Sequence, residues 1–376
     1  MRRIWTFCWF YDIILPNLNT FGFFIMSPED NNLAVLPREL FQYIIGPYLD
    51  NQGKSRLSKC SRFFHSFIKE DLEGLGAAKL LDFVIRGEQE KAKEMLKANP
   101  SLLLKPSQAE DYSGRTIIAK PFQAAIAAED ERMWEMMEPY FDELETQGKI
   151  ESAREEKKAQ FDAQFPAGIE DEPADNLKTI YDDVAQKIVD AKGDTTKIDA
   201  ALADFRPKVN TQGKTVKSGK HFNMQHLLAA YQAYLENFDK LDDADELDEF
   251  WQQVIGYVQR QMPANYAQAH CSGIQSVLDK AANFKRTLDF SNSDKFFPLK
   301  PEENKAGLGF DFAAARVPFR PVAAPLLVLC TMHRRLSLRP MLRAALRSYV
   351  KQKQNHLGAL NCSLRESQSN NLPAAV

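Results

Sequence analysis

Apolar residues recur at three- and four-residue spacing over long stretches of this chain, which commits it to helices rather than sheets. Leu227, Leu228, Tyr231, Tyr234, Leu235 and Phe238 form the strongest stripe, and Phe250, Trp251, Val254, Ile255 and Val258 the next. A third helix is expected over 264–278. Ile180, Val184 and Ile188 mark the buried side of a helix from Leu177 to about Ala191. With 44% hydrophobic residues the chain can fill a packed core, and its 376 residues allow two or three domains. The expected fold class is all-α.

The N-terminal 25 residues stand apart. Met1-Arg2-Arg3 and the apolar run 4–10 resemble the start of a signal peptide, but Asp12, Pro16, Asn17 and Asn19 break that run. The stretch reads as an upstream extension before a start at Met26, with a weak membrane anchor as the other reading.

Residues 30–70 form a separate module. Pro37 suits a first helical turn, where its missing N–H would be unpaired anyway. Glu39 meets the positive end of the helix dipole there. Leu40, Ile44, Ile45 and Tyr48 share one face. Asp50-Asn51-Gln52-Gly53 is expected to break the helix. A second helix should begin near Ser55, with Leu57, Cys60, Phe64, Phe67 and Ile68 on one side. Two such helices cannot bury both faces alone. An ordinary helical hairpin is the plain reading.

The full register is more specific: Leu36-Pro37-Arg38-Glu39-Leu40, Ile44-Ile45, Tyr48-Leu49, then Leu57-Ser58-Lys59-Cys60-Ser61-Arg62-Phe63-Phe64. It resembles an F-box, the helical module that docks a protein onto the Skp1 subunit of a ubiquitin ligase. The link after Leu49 departs from the family by carrying Gly53 and Lys54. The resemblance implies that Leu36, Pro37, Leu40, Ile44, Ile45, Leu49 and Leu57 contact Skp1. Through Skp1 the chain would reach a cullin and bring a protein target to the ligase.

Residues 72–142 read as short helices with stops at Gly87 and at Asn99-Pro100. Asp111-Tyr112-Ser113-Gly114-Arg115-Thr116 and Pro121-Phe122-Gln123-Ala124-Ala125 resemble the turn and first helix of an ankyrin repeat, with residues 117–120 inserted. Met133, Trp134, Met136 and Met137 continue the stripe. Too few units are visible for a solenoid, so neighbouring helices must cap them.

The body spans 143–312. A solvated helix is expected over 145–165, an acidic linker over 166–175 and a mobile loop over 210–219. The tail, 313–376, is basic. Ten of the chain's 48 Lys and Arg lie between Asp311 and Glu366, with none of its 51 acidic residues, so the rest carries a net −13. A basic amphipathic helix over 337–353 sets Leu338, Leu342, Leu346 and Tyr349 against Arg339, Arg343, Arg347 and Lys351. Docking on the acidic body or a solvated helix is favoured over contact with an anionic membrane. No nucleic acid partner is expected, and disorder is expected from Ser363 onward.

The F-box and ankyrin-like parts, with Val254 to Arg260 and the aromatic run from Phe296 to Phe312, resemble a Legionella-type secreted effector. That resemblance implies type IV secretion and action in a host cytoplasm. Catalytic chemistry is not evident. His221 and His226 are five apart and do not share a helix face. His270-Cys271 is a sequence neighbour pair rather than a dyad. The five cysteines lie far apart and suggest neither disulfides nor zinc. Asp239 to Asp248 lacks the glycine of a calcium loop, and Gly74-Leu75-Gly76 and Gly307-Leu308-Gly309 follow no strand. No cofactor or metal is expected. The leading expectation is an adaptor, and the alternative is an effector enzyme with its site in 145–312.

Overall fold

In the computed structural model, the residues described are 51–60, 62–211, 213–241, 244–272, 286 and 327–366. They are 71% helix and 4% strand, which makes the fold all-α. The chain divides into two compact units, Met1–Gly76 and Ala77–Val376.

In the first unit, helix α1 (Asn51–Cys60) is followed by α2 (Arg62–Ile85), which runs on into the second unit. The expected break at 50–53 does not occur within 51–53. Asn51 to Gly53 are already helical, because one glycine costs only about 1 kcal/mol in a helix. The expected single helix through Ile68 is instead two elements.

In the second unit, α2 ends as expected before Gly87, which takes φ +68 and closes the turn with its N–H on the carbonyl of Val84. The backbone leads into α3 (Gln89–Ala98), and Asn99 then caps a short 3₁₀ turn at Pro100–Leu104. Strands β1 (Ser107–Glu110) and β2 (Thr116–Ala119) form an antiparallel hairpin, followed by α4 (Pro121–Ala127) and α5 (Glu131–Thr146). The four residues read as an insertion lie at the strand β2. A Cβ at Gly87 would come 2.6 Å from the side-chain amide of Gln268 in a left-handed backbone conformation. Gly87→Ala is therefore expected to lower stability by about 1–3 kcal/mol, read from urea melts. An unchanged midpoint would show that the amide moves aside freely.

The helix expected over 145–165 is interrupted. Gly148 turns the chain at φ +67, and Ser152 caps α6 (Ala153–Gln164) by accepting from the Glu155 N–H. Phe161 and Phe165 are buried, so this helix is only half solvated. Helix α7 (Ala174–Ala191) buries Leu177, Tyr181, Val184, Ala185 and Ile188 on one stripe, with Lys178 and Lys187 paired to Asp182 and Asp183 on the other side. Asp194 caps α8 (Thr195–Val209). The loop expected to be mobile instead supplies β3 (Thr215–Val216), which adds to β2 in parallel and buries Val216.

Helix α9 (Gln225–Glu236) carries the strongest stripe. Helix α10 (Ala244–Glu249) passes through a π turn at Phe250–Ile255 into α11 (Gly256–Arg260). The wider turn lets Phe250, Trp251, Val254 and Ile255 all face the interior. Helix α12 is Ala264–Ser272, and the rest of the helix expected to 278 lies outside the described residues, as does the aromatic run to Phe312. Helix α13 (Leu327–Arg365) extends well beyond the expected 337–353 and includes Ser363 to Arg365, where disorder was expected.

Two apolar cores result. One gathers α7 to α12, and the other gathers α2 to α6 with Val216. Helix α13 runs through both, giving Leu346, Tyr349 and Val350 to the first and Leu357, Leu360 and Leu364 to the second. Arg365 pairs with Asp162, and Arg154 donates to the carbonyl of Leu364 at 3.2 Å. The basic tail is thus docked on the acidic body. Among the described residues, no helix is long and apolar enough to cross a membrane.

Candidate functional site

Charged groups ordinarily lie at the surface of a folded protein, yet several here are buried. They gather where the turn between α4 and α5 meets the loop before α9, the helix α12 and the middle of α13. Glu129 and Asp130 occupy that turn, each 2% exposed. Glu129 has φ +54, a left-handed conformation that a residue with a side chain adopts at a cost. It is held there from several sides. Its N–H donates to the Ile126 carbonyl at 3.0 Å and its carbonyl accepts from Asn265 at 3.1 Å. Its carboxylate accepts from the Tyr266 hydroxyl at 2.6 Å and lies 2.9 Å from the Lys220 ammonium. Lys220 reaches Asp171 as well, at 2.5 Å. Burial alone would lower the Lys220 pKa, but the two carboxylates outweigh it and hold the ammonium above its ordinary value.

Arg115 builds the second part. It leaves the hairpin beside Asp111, whose carboxylate accepts from its Nε at 2.9 Å, and donates on to the carbonyls of His221 at 2.5 Å and Gln261 at 2.8 Å. Asp111 also takes the Ser113 N–H and hydroxyl, an Asx turn that shapes the hairpin. Burial would raise the Asp111 pKa, and Arg115 with these donors brings it below the ordinary carboxylate value. Asp130 is treated alike by Arg286, whose Nη1 donates to it at 2.6 Å.

Three histidines line this interior as neutral rings. Burial, with Arg115 close by, lowers the pKa of His221 to about 3. Burial lowers His226 and His270 to about 4. His226 Nδ1 lies 2.8 Å from the Tyr181 hydroxyl. His270 Nδ1 faces the Tyr266 carbonyl at 2.9 Å, so that nitrogen carries the proton, and Nε2 is a buried acceptor with no hydrogen-bond partner among the described residues.

Of the residues expected to contact Skp1, Leu57 falls within α1, while Leu36, Pro37, Leu40, Ile44, Ile45 and Leu49 lie outside the described residues. The polar centre is not confined to the span 145–312 where an active site was the alternative expectation. It joins residues of 111–130, 171, 220–226, 260–270 and Arg286 to α13. Among the described residues, no group of His, Cys, Asp and Glu could hold a metal ion. Sequence reasoning missed this centre. The available signals were Glu129-Asp130 at the end of an Ala-rich helix and Lys220-His221 before an apolar one.

A family model described as the CBUA0006 C-terminal domain matches residues 226–364, from the start of α9 almost to the end of α13. A protein of Coxiella burnetii, described as uncharacterized protein CBUA0006, is 24% identical over 251 residues. That covers 64% of this chain and 62% of the relative, so the chain spans about three fifths of that protein's length. No solved structure matches the chain.

Proposed function

We propose that the chain is a substrate adaptor that binds Skp1 through its N-terminal unit and presents a protein target to a ubiquitin ligase. In this reading it acts as a secreted effector in a host cytoplasm. The observation that supports it is that positions 36–57 of the register fall in the first of the two units, Met1–Gly76, and the body in the second. A recruiting module fits such a division, because its apolar face must meet a partner and not its own chain. The helices α1 and α2 supply the amphipathic segments such a face requires. The body then contributes proximity, holding a target at high effective concentration near the conjugating enzyme.

The test is a pull-down of the full chain with purified Skp1 beside a Leu36→Ala/Pro37→Ala variant. Losing two apolar contacts is expected to weaken binding by about tenfold or more, with the far-ultraviolet circular dichroism unchanged. Equal binding by the variant, or no binding by the parent at micromolar concentration, would remove the adaptor reading.

A further inference from the structure

Glu129, Asp171 and Lys220 reach one another from three separate connections: the turn between α4 and α5, the loop between α6 and α7, and the loop before α9. Their side chains are 3%, 9% and 6% exposed. The Lys220 Nζ lies 2.5 Å from Asp171 Oδ2 and 2.9 Å from Glu129 Oε1. The Tyr266 hydroxyl fixes Glu129 by donating to Oε2, and the Gln354 amide donates to Asp171 Oδ2 at 3.1 Å. An ion pair needs only one carboxylate. Joining an amine to a carboxyl group needs more: the two in contact, water kept out, and a third group to carry protons between them. This cluster holds all three.

We propose that Lys220 and Asp171 condense to an intramolecular isopeptide bond, with Glu129 as the proton carrier. The ammonium is the resting form, so the freshly folded chain holds the ion pair described above. Glu129 Oε1 takes one proton from Nζ and frees its lone pair. Nζ then attacks the Asp171 carboxyl carbon, and the new N–C bond makes a tetrahedral adduct. Gln354 donates to Oδ2, where negative charge grows in that adduct. Two of the three ammonium protons pass through Glu129 to one carboxyl oxygen, which leaves as water when its C–O bond breaks. The third proton stays on the amide nitrogen, and Glu129 ends as the carboxylate it began as. Nothing is oxidised or reduced, and no co-reactant is consumed. Fixed contact replaces a chance encounter of the two groups. Burial favours the product, because two charges become one neutral amide and the water can leave. The bond would close a loop across 49 residues that contains α7 and α8.

The experiment keeps the purified full chain at neutral pH for several days and follows its intact mass under denaturing conditions. The product is expected to be lighter than the parent by one water molecule. Trypsin should then release residues 159–178 joined to 218–240, because an acylated Lys220 is not cleaved. Lys220→Arg keeps the positive charge but offers no amine, and it should keep its full mass. Glu129→Gln leaves the amine and the carboxyl in place and should slow the loss about a hundredfold. Melting temperatures of both variants show that each is folded. The parent held unfolded in urea should also keep its full mass, since unfolding separates the three groups. A folded parent that keeps its full mass throughout would overturn the proposal. So would water lost within 159–178 while Lys220 is still cleaved, equal loss in urea, or loss at the parental rate in Glu129→Gln.

Discussion

Acidification from pH 7 to pH 5 is expected to destabilise the body by several kcal/mol, with the loss starting near pH 6.5. The cause is the set of buried histidines. His221, His226 and His270 have folded pKa values of about 3, 4 and 4, against about 6.5 in the unfolded chain. Above pH 6.5 the rings are neutral in both states, and their contribution is complete. As the pH falls through 6.5 the unfolded chain takes up protons that the folded one refuses, so folding weakens until the folded pKa is reached. Each ring contributes at most about 1.4 kcal/mol per pH unit in that window, and three together about 4. By pH 5 the sum is comparable with the roughly 5–15 kcal/mol that holds a typical domain.

The surroundings explain why none of the three accepts a proton readily. His221 sits against the Arg115 guanidinium, and the Asp111 charge that would favour protonation is outweighed. His226 faces a phenol, and His270 already spends its one proton on a carbonyl. Depressed carboxylates such as Asp111 and Asp130 act in a different window. Their contribution is present above about 3.8 and is lost below it, so they do not mask the histidine effect. Urea melts at pH 7.5, 6.5, 5.5 and 4.5 would measure the slope, and His226→Gln should reduce it by about one proton. A midpoint that stays constant down to pH 4.5 would mean that the rings are not buried as described.

The helices of the body were legible in the sequence because each carries its own signal. Leu177 to Ile188 repeats at helical spacing, and Gly87, Asn99 and Pro100 stop helices where such residues should. The buried charges of the polar centre were hidden for one reason. Residues 166–175 and 210–219 are rich in charge, glycine and proline, which ordinarily means solvated chain. Asp171 and Lys220 lie in or beside those segments, and their side chains are 9% and 6% exposed. A charge looks the same in sequence whether it faces water or another charge, and its partner here is 49 residues away. The strand β3 was hidden for a similar reason, since two residues carry no alternation and only pairing with β2 makes them a strand. The end of α13 was missed because Gly358 and the polar residues around Asn361 and Ser363 suggest a fraying end, while Leu357, Leu360 and Leu364 are held by the second core.

Lys220→Met is expected to cost about 3–5 kcal/mol, the range for breaking a buried ion pair by deleting one partner. The loss comes less from the attraction removed than from what stays behind. Glu129 and Asp171 would be two buried carboxylates with no cation between them, and Glu129 would still be held in a left-handed backbone conformation. Tyr266 and Gln354 each supply one hydrogen bond, which does not neutralise a charge. For a body of this size the melting temperature should fall by about 10 °C. The same argument predicts a rescue. Adding Glu129→Gln and Asp171→Asn to Lys220→Met removes both stranded charges, and most of the lost stability should return, because a neutral polar cluster is far less costly to bury than an unpaired ion. Thermal melts of the single and triple variants at pH 7 separate the possibilities. A single variant that melts within about 2 °C of the parent would place the two carboxylates in water. A triple variant no better than the single one would show that the buried methylene stem of Lys220 matters more than its charge.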